Sequence, residues 1–250
     1  MPEPSAVEIK VNVKGDVDRA LSVLGLNAGK PRKVWFLDDL TEGARPSLPL
    51  LSAGIVLRLR RNKDGGEDST VKLRPCRWSQ LVGQWGDVAS SDTALTVEGD
   101  WSRSKHVLAA SCKADLDEGS IKSALDGDGR LAKAFTKPQL DFLADCGEIR
   151  VAFGGLTALG PIAATQWKNA TVGAVDHVSA ERWTVAGADF LELSIRVTEV
   201  DQAGAGQQAL TDEVTARGLA LDDTDEPKTL RVMKLLAAAK SAPLQHDTSQ

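Results

Sequence analysis

Tyrosine is absent from this 250-residue chain, so six tryptophans must supply much of the aromatic packing. Cysteine occurs only three times, and Cys76, Cys112 and Cys146 lie far apart, with no Cys-x-x-Cys or Cys/His spacing of the kind that binds zinc. An odd number of dispersed thiols also argues against a disulfide framework. The sequence therefore predicts a protein of a reducing cytoplasm without a zinc site.

Long apolar runs and an excess of basic residues are missing as well. No segment approaches the roughly 18 apolar residues that a membrane-spanning helix needs, so we expect no membrane association. Residues 1–8, MPEPSAVE, have neither the basic nor the apolar region of a signal peptide. The net charge of −5 argues against general nucleic-acid binding, for which a basic protein is typical.

Several common catalytic motifs are lacking. Residues 25–30, GLNAGK, superficially resemble a phosphate-binding loop, but one residue is missing between the glycines and Pro31 follows the lysine. His106, His177 and His246 have no cysteine, serine or acidic partner at a recognisable spacing. The histidines are therefore interpreted as ordinary surface or half-buried side chains.

Alternating apolar and charged residues predict most of the strands. Residues 6–14, AVEIKVNVK, alternate cleanly and predict a first strand. Residues 55–60 and 70–74 predict the two strands of a hairpin, joined by the turn sequence Asp64-Gly65-Gly66. Because side chains alternate across a strand, the hairpin places four cations on one face. These cations are Arg58, Arg60, Lys72 and Arg74.

The remaining pattern is that of an α+β protein with eight to ten antiparallel strands. Further strands are predicted at 33–37, 93–98, 106–113, 149–153, 162–168, 172–185 and 190–200. Helices are predicted at 16–26, in an insertion at about 117–146, and at the C-terminus at about 205–240. We expect one domain over residues 1–240 and a disordered tail over 241–250. An open sheet and a closed barrel with a polar interior both fit this pattern. In the barrel, the helices cover the apolar exterior and no sheet edge is left exposed.

Charged side chains on the strand faces are the best candidates for function. The basic set is Lys10, Arg58, Arg60, Lys72, Arg74, Lys168 and Arg196, and the acidic set is Glu8, Glu98, Glu181 and Glu192. One interpretation is a solvated face. The other is an anion site, because arginine and lysine suit phosphate oxygens and carboxylates suit Mg²⁺ or Mn²⁺. A barrel lined by both sets would bind a short polyphosphate with its metal.

The chain resembles the CYTH domain proteins, also called triphosphate tunnel metalloenzymes. Residues 34–38, VWFLD, resemble the family's Y-F-D-T segment, and 52–60, SAGIVLRLR, its A-G-x-x-L-R-x-R strand. Residues 70–75, TVKLRP, are similar to its T-x-K-L-R segment, and 159–162 and 191–194 to later segments of one bacterial branch. The resemblance implies an antiparallel tunnel of about eight strands, whose basic residues bind a triphosphate and whose acidic residues hold a divalent metal.

The sequence departs from the family pattern at the metal ligands. The E-x-E-x-K signature is here Ala6-Val7-Glu8-Ile9-Lys10, and the late E-x-E strand is Glu192-Leu193-Ser194. Each pair keeps one carboxylate, and Asp39 replaces the threonine of the Y-F-D-T segment. The resemblance thus implies Glu8 and Glu192 as the core ligands of Mg²⁺ or Mn²⁺, with Glu98 and Glu181 as further ligands.

The leading hypothesis is a divalent-metal-dependent phosphohydrolase acting on an inorganic or organic triphosphate. Glu8, Lys10 and Glu192 are its predicted catalytic residues, and the basic set binds the phosphates. One alternative is a polyphosphate- or nucleotide-binding module with weak or no catalysis. Another is an adenylate cyclase of class IV. The partner is thus a small-molecule triphosphate or polyphosphate, and a homodimer is allowed.

Overall fold

The computed structural model describes residues 3–40, 47–86, 95–127, 130–224 and 226–241. Ten strands form the framework of the described residues. They are β1 (Val7–Lys14), β2 (Lys30–Asp38), β3 (Ile55–Asn62), β4 (Glu67–Cys76), β5 (Leu95–Ser102), β6 (Lys105–Leu116), β7 (Thr157–Val172), β8 (Val175–Val185), β9 (Ala188–Val197) and β10 (Ala220–Leu221).

Six α-helices lie between and after the strands of the described chain. They are α1 (Val17–Val23), α2 (Pro49–Ser52), α3 (Ser120–Leu125), α4 (Lys137–Cys146), α5 (Ala203–Ala216) and α6 (Lys228–Ser241). Helices α3 and α4 occupy the position of the expected insertion, and α5 and α6 that of the expected C-terminal helices. The predicted tail lies almost entirely outside the described residues. Within those residues, no helix combines the length and the apolar character that crossing a membrane requires.

Nine strands close into a barrel. The order is β1-β5-β6-β4-β3-β2-β7-β8-β9, and β9 pairs with β1 to complete the ring, while the short β10 adds to one end of β1. The closed barrel, which the family resemblance implies and the strand pattern allows, is confirmed. Two details differ, because the barrel has nine strands rather than about eight and because β1 and β5 run parallel from Val7 to Lys10.

Some predicted strand boundaries were wrong. Residues 149–153 form no strand, and only a short 3-10 turn follows at Phe153–Gly155. Strand β2 starts three residues earlier than predicted, and β5 continues four residues further. The extensions add Arg32 and Asp100 to the inward faces of β2 and β5, which matters for the site described below.

Most of the apolar strand residues point outward and are covered by helices. The cluster around Leu57 and Val71 includes Phe142 of α4, and the cluster around Ile9 includes Leu210 and Val214 of α5. Burying such side chains contributes about 1.5–3 kcal/mol each to folding. The barrel is thus stabilised mainly from outside, which leaves its interior free for polar groups.

Helix α6 closes one end of the barrel. Its Val232 and Met233 are buried in a cluster with Phe36 and Trp183, which project inward from β2 and β8. The first turn of α6 also lines the interior, together with Leu51 and other residues. One end of the tunnel is therefore blocked by an apolar plug.

Asp38, the acid of the V-W-F-L-D segment, fixes the short helix α2. Its fully buried carboxylate accepts hydrogen bonds from the backbone N–H groups of Leu50 and Leu51, at 2.9 and 3.0 Å. A carboxylate at a helix N-terminus satisfies orphan donors and interacts favourably with the helix dipole. This contact places Leu51 and Ser52 at the tunnel wall.

Gln139 ties the helical insertion to the barrel wall. Its fully buried amide donates to the carbonyl oxygens of Ser69 and Cys112, both at 3.0 Å, and accepts from Ser69 Oγ and the Thr136 N–H, both at 2.9 Å. These contacts join β4 and β6 to the start of α4.

Replacing Gln139 with leucine is expected to lower the free energy of unfolding by about 3 kcal/mol, because several buried polar groups lose their partner. Urea denaturation followed by tryptophan fluorescence measures this. The Lys137→Met variant, which breaks an exposed pair with Asp141, is the control and should change stability by less than about 0.5 kcal/mol. Equal stability of the two variants would contradict the role given to Gln139.

The three cysteines are buried free thiols. Burial raises the pKa of Cys76 and of Cys112 to about 11, so little reactive thiolate exists at neutral pH. Native protein should therefore react with a thiol reagent only on the timescale of unfolding, whereas denatured protein should react at once at all three positions. Rapid labelling of the native protein would contradict this.

Candidate anion-binding tunnel

The cations of the β3–β4 hairpin point into the barrel. On β3, Leu57 and Leu59 are fully buried in the outer core, and the alternate residues Arg58 and Arg60 line the interior. On β4, Lys72 and Arg74 line it in the same way. The period-two pattern of the sequence produces this directly.

The interior forms a cavity of about 430 Å³. Its charged lining residues are the cations Lys10, Arg58, Arg60, Lys72, Arg74 and Lys228 and the carboxylates Glu8, Asp100, Glu181 and Glu192. Two positive charges are thus in excess at this point of a protein whose net charge is −5. The volume is typical of a small-molecule site, and the charge suits a small anion.

Asp100 is the centre of an ion cluster. Its side chain is 1% exposed, and its oxygens lie 2.7 Å from Lys10 Nζ, 3.2 Å from Lys72 Nζ and 2.8 Å from Arg74 Nη2. Burial alone would raise the pKa of Asp100, but the three cations hold it well below its usual range. The cluster fixes the three basic side chains in one orientation.

Lys10 also contacts Glu8, the acid of the N-terminal signature. Its Nζ lies 2.9 Å from Glu8 Oε2. Burial lowers the pKa of Lys10, yet Glu8 and Asp100 together raise it above its usual range. Lys10 is therefore a permanently charged group that bridges two carboxylates.

Three buried guanidinium nitrogens have no hydrogen-bond partner in the described part of the chain. They are the Nε atoms of Arg32, Arg58 and Arg74. Arg58 donates through Nη2 to Thr70 Oγ1 at 3.2 Å, and Arg74 donates through Nη2 to Asp100. Buried donors in native proteins are almost always satisfied, by protein groups or by ordered water, so these nitrogens can each donate to a partner that the described residues do not supply.

Arg58 is also repelled by a neighbouring cation, Arg60. Burial and the neighbouring Arg60 lower the pKa of Arg58 to about 10. Arg60 is better compensated, because its Nε donates to both oxygens of Asp68, at 3.0 and 3.2 Å. The tunnel wall alone thus disfavours the charge of Arg58, as expected for a group that binds an anion.

Glu181 and Glu192 face each other on β8 and β9 and share one cation. Lys228, at the start of α6, places its Nζ 3.4 Å from Glu181 Oε2 and 3.1 Å from Glu192 Oε1. The other oxygen of Glu181 lies 3.8 Å from Arg32 Nη1. Although burial raises the pKa of Glu181, Lys228, Arg58 and Arg32 lower it below its usual range.

The residues present do not fit a preassembled metal site. Among the described residues, no group of three or more metal-ligating side chains lies close enough together to hold an ion. Glu8 pairs with Lys10, Glu98 with Arg196, and Glu181 and Glu192 with Lys228. All four carboxylates predicted to bind Mg²⁺ or Mn²⁺ thus already have a cationic partner.

Three predicted site residues lie outside the cavity. Arg196 and Glu98 pair with each other beside Glu8, since Arg196 is the cross-strand neighbour of Glu8 on β9. Lys168 is exposed and lines a separate cavity with Lys30 and Lys63. It is not part of the tunnel set, because β7 has a register shift after Trp167 that interrupts the alternation.

Three residues of the site were missed by sequence reasoning. Asp100 lies two residues after Glu98 on the same face of β5, and Arg32 lies two residues before Val34 on the same face of β2. Longer strand predictions would have included both. Lys228 could not be found in this way. Its helix was predicted, but nothing in its sequence indicates that it enters the barrel.

The fold is shared with solved structures of low sequence identity. One is a "putative adenylate cyclase" from Bacillus halodurans, with a TM-score of 0.60 and 15% identity over 92% of this chain and 98% of that one. Another is a "putative adenylyl cyclase" from Hippeastrum, reported to have a dominant triphosphatase activity, with a TM-score of 0.59 and 13% identity over 96% of this chain and 99% of that one.

No protein-family model and no curated protein matches the chain. The structural match nevertheless extends over nearly the whole length of both chains. The chain therefore has the fold of the CYTH, or triphosphate tunnel, proteins that its sequence resembles.

Proposed function

We propose that the protein binds the triphosphate group of a small molecule in the tunnel and hydrolyses a phosphoanhydride bond. The observation that carries this proposal is that the buried Nε atoms of Arg58 and Arg74, which line a cavity with two excess positive charges, have no acceptor in the described chain. Phosphate oxygens are strong acceptors that arginine can bind bidentately. A triphosphate supplies both the acceptors and the negative charge that these groups need.

The basic side chains would contribute to the reaction by position and charge. Lys10, Lys72 and Arg74 are held in place by Asp100, and Arg58 by Thr70, so they are preorganised before the substrate arrives. Fixed cations in a water-poor site stabilise the charge that spreads over the oxygens of a transferring phosphoryl group. Because α6 blocks one end of the tunnel, the substrate would enter from the opposite end.

A binding module with little catalysis is the second candidate. It is supported by the pairing of Glu8, Glu181 and Glu192 with lysine, which leaves no carboxylate of the described cavity lining free of a cation. A cyclase is the third candidate, and the names of the two solved structures are what supports it. The three candidates share the triphosphate site and differ in product.

Phosphate release from tripolyphosphate, with Mg²⁺ or Mn²⁺ and with chelator, separates these candidates. The hydrolase predicts turnover, and the Glu8→Ala variant should lower it. Equal activity of wild type and Glu8→Ala would remove the catalytic role from Glu8. Binding without turnover would favour the module, and cyclic AMP from ATP would identify a cyclase. Cytoplasmic location, a homodimer and the use of longer polyphosphates remain predictions.

A further inference from the structure

The ammonium group of Lys228 lies where a divalent cation would be expected. Glu181 and Glu192 are directly opposite each other on adjacent strands, an arrangement that is destabilising for two like charges. Lys228 Nζ contacts both carboxylates and lies 4.1 Å from the centre of the Trp183 ring. Its side chain is only 4% exposed. The ammonium is therefore held between two carboxylates and an aromatic ring at the wall of the cavity.

The position of Lys228 is fixed by the fold rather than by the ion pairs alone. Lys228 is the first residue of α6, and Val232 and Met233 anchor this helix in the core with 0% and 1% exposure. Moving the ammonium out of the tunnel would require either an unpaired buried charge or displacement of the plug. Both are unfavourable, so a metal ion would have to compete with a tethered cation.

We propose that Lys228 replaces a divalent metal at the Glu181–Glu192 pair, so that the tunnel binds a triphosphate without a resident metal ion. The second half of this proposal, metal-free binding of a triphosphate, rests on the proposed function. The first half, replacement of the metal by Lys228, does not. It follows from the register of the two carboxylates and from the position of α6.

The cation site is tested first by thermal unfolding without any triphosphate. Removing the charge in Lys228→Met leaves two facing carboxylates, which should attract Mn²⁺ because hard cations prefer oxygen ligands. The variant should unfold at a lower temperature than wild type in chelator and regain several degrees with Mn²⁺. Wild type should show no shift with Mn²⁺. The matched control is Lys234→Met, which removes an exposed lysine of the same helix and should behave as wild type.

A clear Mn²⁺ shift of the wild-type protein would overturn the first half of the proposal. So would a Lys228→Met protein that folds and does not respond to Mn²⁺. Because that variant is at risk of failing to fold, the second measurement uses wild type only. Calorimetric titration with tripolyphosphate is run in chelator and again with Mg²⁺.

Comparable affinity in chelator and in Mg²⁺, within about tenfold, would support the proposal. Binding that appears only with Mg²⁺ would overturn it and leave the proposed function intact. Absence of binding under both conditions would overturn the proposed function and the second half of this proposal. The two failures are thus distinguishable.

Discussion

Replacing Asp100 with asparagine is expected to lower the free energy of unfolding by about 3–5 kcal/mol, the typical loss when one partner of a buried ion cluster is removed. Asp100 is 1% exposed and contacts Lys10, Lys72 and Arg74 within 3.2 Å. Without its charge, three buried cations repel each other across the tunnel. The asparagine keeps the shape of the side chain, so the loss measures the charge.

Urea denaturation at neutral pH tests this prediction, with Asp115→Asn as the control. Asp115 pairs with Lys113 at the far end of β6, and its side chain is 87% exposed. Such a surface pair contributes at most about 1 kcal/mol. Equal losses in the two variants would show that the Asp100 cluster contributes no more than a surface pair.

The pH dependence of stability provides an independent measurement of the same charge. The pKa of Asp100 is lowered in the folded state, whereas in the unfolded chain it is about 3.9. A carboxylate of this kind contributes stability that is fully present above the unfolded pKa and is lost as pH falls through the folded pKa. Wild type should therefore lose this contribution below about pH 4, whereas Asp100→Asn should lack it at every pH.

Tripolyphosphate should partly rescue the Asp100→Asn variant. A ligand that binds only the folded state stabilises it, and the unpaired cations of the variant offer additional charge to a bound anion. The thermal shift with tripolyphosphate should therefore be larger in Asp100→Asn than in wild type. A shift that disappears in the variant would mean that Asp100 is needed to orient the cations and that its orienting effect outweighs its charge.

The hairpin shows what sequence periodicity can predict. Arg58 and Arg60 alternate with Leu57 and Leu59, and that alternation alone places the arginines on one face of the strand and the leucines on the other. Whether the charged face meets water or a closed interior depends on which strands pair. That pairing is non-local, since β1 contacts β9 and β5 far away in the chain. The predicted helices favour a sheet that closes into a barrel, but no single segment of the sequence determines this closure.

The missed and misplaced residues have separate physical causes. Asp100 and Arg32 lie beyond predicted strand ends, and strand ends are set by pairing with neighbours rather than by local pattern. Lys168 follows the alternation in sequence but lies at a register shift of β7. Lys228 enters the tunnel because α6 packs on Trp183 and Phe36, a tertiary contact that helical periodicity does not encode.

The Arg58→Met variant is expected to bind tripolyphosphate about 100-fold more weakly, because removing one partner of a buried charge pair costs about 2–5 kcal/mol. At the same time, it should not be less stable than wild type when no ligand is added. Burial and Arg60 both disfavour the charge of Arg58, and its Nε has no partner in the described chain. A residue that ligand binding needs but folding does not is a binding residue.

The control is Arg61→Met, one residue further along the same strand. Arg61 projects to the outer side, where its guanidinium lies 5.7 Å from the centre of the Trp35 ring. Losing this contact should reduce stability by about 0.5–1 kcal/mol and leave the affinity unchanged. Calorimetric titration and thermal unfolding of both variants give the two quantities. If Arg58→Met unfolded at a lower temperature yet kept its affinity, Arg58 would be a structural residue and the anion would have to bind elsewhere in the tunnel.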